Sequence, residues 1–148
     1  MFKPARILVP TDMSDHADKA IRQAIDIAKQ FNSELLFLHV IKDPVQQCTV
    51  DYCISESLMN QLQTELNEAA HAGIKNQVAK NSSLGNLSYT ADVKTGIPHD
   101  EILKEAEEKG VDLIVISSLG TSGLAKYLIG SVARHVLLGA KCSVLLVR

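Results

Sequence analysis

Two short stretches of this chain carry residue types that can hold an anion. The first, Pro10-Thr11-Asp12-Met13-Ser14, sets a carboxylate among hydroxyls directly after an apolar run. The second runs from Ser117 through Ser118 and Leu119 to Gly120, and resumes at Gly130-Ser131 ahead of a helical pattern. Glycines leave backbone N–H groups uncovered, and a helix start adds unpaired donors at the positive end of its dipole. Strand, glycine-rich loop and helix in that order therefore make a seat for phosphate. The same glycines also serve a chain that only turns corners. Asp12 equally suits an Asx-turn ahead of a helix, and Ser131 a plain N-cap. Between the fixed points, Lys126 would either neutralise phosphate charge or stand as a solvated surface lysine, and Gly123 offers a second way to count the glycines.

Other chemistries are poorly served. No Gly-Lys-Ser/Thr follows the loop, so the lysine of a fast P-loop ATPase is missing. No G-x-S-x-G elbow backs a Ser-His-Asp triad. His16, His39, His71, His99 and His135 form no HxxxH pair, and each reads as structural or exposed rather than as a metal ligand. Cys48, Cys53 and Cys142 are an odd set that completes no zinc site. The opening "MFKPARILVP" holds no extended apolar h-region, so reduced thiols in a cytoplasm are expected. No catalytic residue and no metal ligand is assigned.

Length and composition narrow the field further. The 148 residues suit one domain, residues 1–148, with 46% hydrophobic and 22% charged side chains. Aromatic residues make up 4% and Trp is absent, so there are no stacking rows for single-stranded nucleic acid. A formal net charge of −2 without a basic cluster argues against nucleic acid or anionic membrane as partner. No apolar run approaches the roughly 20 residues of a membrane span.

The elements that must position these residues alternate. Ala5–Thr11 is a short continuous apolar run, as expected of a strand buried on both faces. Ser14 then serves as N-cap, with Asp15 and Asp18 in the first turn and Ala17, Ala20, Ile21, Ala24, Ile27, Ala28 and Phe31 at helical spacing. Ser33–Ile41 is a second buried strand, and residues 43–55 read as a loop. A long helix fits Glu56 to Lys80, with Leu58, Leu62, Leu66, Ala69, Ala70 and Ile74 on one face. Gly73 inside it costs about 1 kcal/mol relative to Ala. "LSYTADVKTG" alternates like a sheet edge, Pro98 opens a helix that Gly110 stops, and "VDLIVIS" is the most apolar strand. A helix around Leu128–Leu138 and the strand "CSVLLVR" finish the chain. This order predicts an α/β fold, a parallel sheet covered by helices on both faces. Ligands of such sheets bind at the carboxyl ends of strands where the strand order reverses.

The runs "ILVPTDMSDHADKAIRQAIDIAKQFNSELLFLHVI", "VKTGIP", "VDLIVIS" and "GLAKYLIGSVARHVLLGAKCSVLLV" together resemble the universal stress protein family, essentially end to end outside residues 43–55. The resemblance implies a Rossmann-like five-stranded parallel sheet of order 3-2-1-4-5, which sets strands one and four side by side. It also implies a homodimer formed through the C-terminal strand, here residues 142–148. Many members bind ATP or a related adenine nucleotide through G-x2-G-x9-G-(S/T), and others lack the motif and do not. Here that register runs Ser117, Gly120, Gly130-Ser131, with serine in place of the first glycine. Starting at Gly120 and Gly123 leaves only six residues before Gly130.

The resemblance implies nucleotide contacts at Pro10, Thr11, Asp12, Val40, Ser117, Gly120, Gly130, Ser131 and Val132. Asp12 would face adenine or ribose and the Val40 backbone would meet adenine, while Gly96 would either border the ribose or serve a plain turn before Pro98. The expected function is a cytoplasmic regulatory module holding ATP or AMP, with Mg2+ should the ligand be a triphosphate, and an unknown protein partner. The alternatives are a dimeric interaction protein of the same fold that binds no nucleotide, and a slow ATPase or autophosphorylating protein.

Overall fold

The computed structural model describes residues 1–43, 55–81, 83–120 and 128–148. Its nine elements run β1 (Arg6–Pro10), α1 (Asp15–Phe31), β2 (Glu34–Lys42), α2 (Glu56–Lys80), β3 (Tyr89–Gly96), α3 (Pro98–Glu108), β4 (Leu113–Ser117), α4 (Ser131–Gly139) and β5 (Ser143–Val147). The five strands form one sheet of order β3-β2-β1-β4-β5, with every pair parallel. Cys48 and Cys53 lie outside the described residues, as does nearly all of the stretch read as a loop at 43–55.

Side-chain alternation along β1 separates two cores. Ile7 and Val9 point to a layer with Ile21, Ile25, Ile74 and Val78 from α1 and α2. Leu8 points to the other face, among Ile102 and Ala106 of α3 and Ala133 and Val136 of α4. Both faces of the central strands are thus apolar and covered, the condition under which a parallel sheet persists.

Local chemistry sets the boundaries. The Ser14 hydroxyl accepts the Ala17 N–H at 3.3 Å and caps α1. Asn32 closes that helix in the left-handed region, at φ 56°. Pro98 opens α3, whose end is followed by Gly110 at φ +60°.

The structure changes two expectations. Along α2 only Ala70, Ile74, Gln77 and Val78 are buried, while Leu58, Leu62 and Leu66 stand 54%, 41% and 37% exposed and Ala69 is exposed too. A helix of 25 residues is about 37 Å long, more than the roughly 30 Å of the nine-residue strand β2, so its first turns overhang the sheet. Helix α4 begins at Ser131, not near Leu128, because Gly130 is extended (φ −58°, ψ 151°) and donates its N–H back to Ser118 O at 2.7 Å. Among the described residues no helix is long and apolar enough to cross a membrane.

Candidate functional site

Strand order reverses between β1 and β4. Chain leaving β1 crosses to β2 on one side, while β4 pairs on the other. The loops after the two strands part there and leave a cleft of about 380 Å³. That volume lies in the range of small-molecule sites, about 300–1,000 Å³. Pro10, Thr11, Asp12, Val40, Ser117, Gly120, Gly130, Ser131 and Val132 all line it.

The wall after β1 is built by side chains. Asp12 Oδ1 accepts from the Ser14 N–H at 3.0 Å and from the Ser14 hydroxyl. The carboxylate is therefore held in the Asx-type turn that the sequence allowed, while it also lines the cleft. Thr11 donates its N–H to Leu38 O at 2.8 Å and its hydroxyl to Gln77 Oε1, and that hydroxyl accepts the Met13 N–H at 3.0 Å. His39 meets Thr11 O through Nδ1 at 2.8 Å. Because a carbonyl only accepts, the proton of this contact belongs to Nδ1. Met13 completes the turn at φ 63°, in the left-handed region.

The wall after β4 is built by backbone. Ser118 donates its N–H to Val147 O at 2.7 Å and accepts from Gly130 through its own carbonyl. A Cβ on Gly120 would lie 2.9 Å from Asp12 Oδ2, so a side chain there would push the carboxylate aside, with no positive φ involved. A Cβ on Gly130 would sit 3.4 Å from Ser118 O, ordinary contact that leaves no room for a branch on that side.

Ser117 also has an ordinary φ, since among the described residues only Met13 and Asn32 are non-glycine residues at positive φ. Its hydroxyl donates to Leu119 O at 2.8 Å and accepts the Leu119 N–H at 3.4 Å. Serine is thus compatible with the backbone at the first motif position, and its side chain is turned into the loop. Ser131 is the first residue of α4 and Gly130 occupies the N-cap position, so the plain serine-cap alternative does not hold. The first intrahelical bond beyond the cap is Arg134 N–H to Gly130 O at 2.9 Å, so the N–H groups of the preceding turn are not consumed within the helix.

Some residues fall elsewhere. Gly96 does not line the cleft; its φ of +154° and the Glu101 side chain, 3.0 Å from a would-be Cβ, account for its glycine. Gly123 and Lys126 lie outside the described residues. Conversely, Lys42, His39, Pro98 and Ile102 line the cleft and were not picked out as site residues. Period-two counting from Val40 reaches Lys42, and Pro98 and Ile102 follow from packing α3 over that strand end, so the signal was present but faint.

Behind the first wall lies a buried polar cluster. Asp18 is 3% exposed and accepts from Lys80 Nζ at 2.7 Å, Asn81 Nδ2 at 3.0 Å and Gln77 Nε2 at 3.1 Å. Burial pushes its carboxyl up, but the hydrogen bonds from Lys80, Asn81 and Gln77 outweigh it and hold the pKa below its ordinary value.

Residues 4–148 match the model of the universal stress protein family. The chain is 34% identical to universal stress protein YxiE of Bacillus subtilis, over 97% of this chain and 98% of that protein. It is equally similar to universal stress protein MJ0531 of Methanocaldococcus jannaschii, 34% identical over 97% of this chain and 81% of the relative. The structure of MJ0577 superposes with a TM-score of 0.83 at 31% identity, covering 99% of this chain and 96% of that one. More distant neighbours share the fold: a universal stress protein solved with cAMP (TM-score 0.73, 23% identical, 99% and 98% coverage) and an Arabidopsis thaliana protein with AMP bound (0.62, 20%, 97% and 91%).

Proposed function

The chain belongs to the universal stress protein family, and from that premise we propose that it binds an adenine nucleotide in the cleft between the β1 and β4 strand ends. The observation that carries this reading is the meeting of a fixed carboxylate, Asp12, with an open glycine-lined helix start, Gly130 to Val132, across one cleft of small-molecule size. Asp12 suits ribose hydroxyls, which donate to a carboxylate. The Val40 segment and Pro98 offer an apolar wall for a base, and the uncovered N–H groups at the start of α4 suit phosphate oxygens. Two glycines keep this side of the cleft uncrowded, because a Cβ at Gly120 would press on Asp12 and one at Gly130 would already touch Ser118 O at 3.4 Å. That fold neighbours hold AMP or cAMP supports an adenine ligand for this one.

ATP is a candidate alongside AMP. Should the ligand be a triphosphate, Mg2+ would accompany it, held largely by phosphate oxygens and water. Occupancy would act by favouring one conformation over another, since differential affinity is the only energy a bound ligand supplies for signalling.

We further propose a homodimer through β5. That strand is at the sheet edge, and Leu137 and Leu138 on the preceding helix are 44% and 77% exposed. An apolar edge of this kind favours pairing with a second copy.

The deciding experiment is denaturation of purified protein followed by chromatography of the released small molecules, with calorimetric titration of AMP and ATP. A co-purifying adenine nucleotide, or saturable binding, is expected. Absence of both would leave the interaction-protein reading in its place.

A further inference from the structure

We propose that Gln77, on α2 and outside the cleft, is a positioning residue that holds the Asp12 carboxylate in place for ligand. This inference rests on reading the cleft as an adenine-nucleotide site. The Gln77 amide bridges both ends of the β1–α1 turn. Its Oε1 accepts from the Thr11 hydroxyl, and its Nε2 donates to Ser14 O at 3.2 Å. Asp12 lies between those two residues, and its Oδ1 is held by the Ser14 N–H. One buried side chain thereby closes a ring around the carboxylate without touching the cleft, since Gln77 is 7% exposed and is not among its lining residues.

The amide has one workable orientation. Nε2 faces two acceptors, Ser14 O and Asp18 Oδ1, and turning the amide over would set Oε1 against both of them. Asp18 is in turn fixed by Lys80 and Asn81, so the grip on the loop is anchored in α1 and the end of α2. One turn before Gln77, Gly73 lets the loop come close: a Cβ there would overlap the Met13 sulfur. Gly73 and Gln77 form a single contact surface on α2 for residues 11–14. This gives the helix-interior glycine, unfavourable by propensity, a reason to be where it is.

Ser14 reports on the arrangement directly, because its N–H donates to Asp12 Oδ1. Gln77→Met keeps the side-chain length and removes both hydrogen bonds to the loop. The expected result in the ligand-free protein is faster amide hydrogen exchange at Met13 and Ser14, with Ile7 to Val9 and Leu113 to Ile116 exchanging as in the unaltered chain. AMP affinity should fall about tenfold, the loss of roughly one hydrogen bond's worth of preorganisation.

Gln77→Glu supplies a rescue arm. Its carboxylate would face Ser14 O and the Asp18 carboxylate, with the Lys80 ammonium and Asp15 beyond. Ser14 protection, corrected for intrinsic exchange rate, should be low at neutral pH and return toward pH 5 as the introduced carboxylate takes up a proton and donates again, while Gln77→Met shows no such return. Should Gln77→Met fail to fold, Thr11→Val cuts the same ring from the loop side and must speed Ser14 exchange. Unchanged Ser14 exchange in the folded variants, or an equal rise across the core strands, overturns the inference. If the unaltered protein binds no AMP, the nucleotide reading fails separately, and Ser14 exchange still decides what Gln77 does.

Discussion

The two walls of the cleft are made differently. After β1, the turn from Thr11 to Ser14 is fastened by side chains: Thr11 to Gln77, Asp12 to Ser14, and His39 to the Thr11 carbonyl. After β4, the chain is fastened mainly by backbone: Ser118 to Val147, and Gly130 to Ser118. A wall of locked side chains presents one chemical group at one position. A wall of glycine and backbone presents N–H donors without obstructing the approach of the ligand. On the proposed reading the first would select, by a carboxylate that suits hydroxyl donors, and the second would accommodate negative charge. Substitutions on the first wall should change which ligand is preferred, and those on the second should change whether any is held.

The largest expected effect falls on the backbone wall. Removing residues 142–148 strips β4 of its pairing from Leu113 to Ser117 and takes away the carbonyl that holds Ser118. The remaining chain should be aggregated or lack cooperative unfolding by circular dichroism. A folded, monodisperse monomer that still bound AMP would mean that β5 supports neither the wall nor assembly.

Next in size is Gly130→Val. Its Cβ would lie at 3.4 Å from Ser118 O, and the branch would extend into the phosphate approach. At a hundredfold excess over Kd a ligand adds about 2.7 kcal/mol to stability. In this variant the AMP-induced rise in Tm should vanish while the ligand-free Tm stays close to that of the unaltered protein. A retained shift would remove the helix start from the site.

On the side-chain wall, Asp18→Asn tests the anchor beneath Gln77. The variant loses the charge that Lys80 pairs with, and should be about 2 kcal/mol less stable at neutral pH by urea denaturation. Asp18 has a folded-state pKa below its ordinary 3.8, so its contribution is present above that pH and is lost as pH falls through the folded value. The gap between the two proteins should therefore shrink below about pH 4. A gap that stays constant down to pH 2 would show that the ionised carboxylate is not what stabilises the cluster.

The difference between the walls also explains what could be read from the residues alone. The order of elements and the parallel sheet were legible because apolar runs, caps and glycine spacing are local signals. Ser14 as a cap and Pro98 as a helix start are of that kind. The approach of Asp12 to the glycine loop needs β1 beside β4, which the residues alone do not give and only the family resemblance implied. Gln77 and Lys42 were not legible, since a glutamine in a helix and a lysine at a strand end are unremarkable until the fold brings them to Thr11 and the cleft. Leu58, Leu62 and Leu66 misled for the opposite reason: their spacing is that of a buried face, but the sheet ends before the helix does. Gly73 showed in the sequence only as a conformational cost, and its use appears once Met13 is seen against it.

The smallest effect belongs to Ser117, where the family pattern has glycine. If that glycine were needed for a left-handed backbone, serine would be strained by about 1–2 kcal/mol and restoring glycine would stabilise the loop. The φ at Ser117 is ordinary, and the hydroxyl is occupied with Leu119. Ser117→Gly should therefore lose roughly 0.5–1.5 kcal/mol of local hydrogen bonding and gain backbone freedom in the unfolded chain, lowering stability slightly. AMP affinity should move less than about threefold, because the hydroxyl is turned onto Leu119 and the N–H groups at the start of α4 do not depend on it. Calorimetric titration of the two proteins side by side measures it. Binding that tightens tenfold or more in Ser117→Gly would show that the hydroxyl obstructs the ligand, and would shift the backbone wall from accommodating to restrictive at this position.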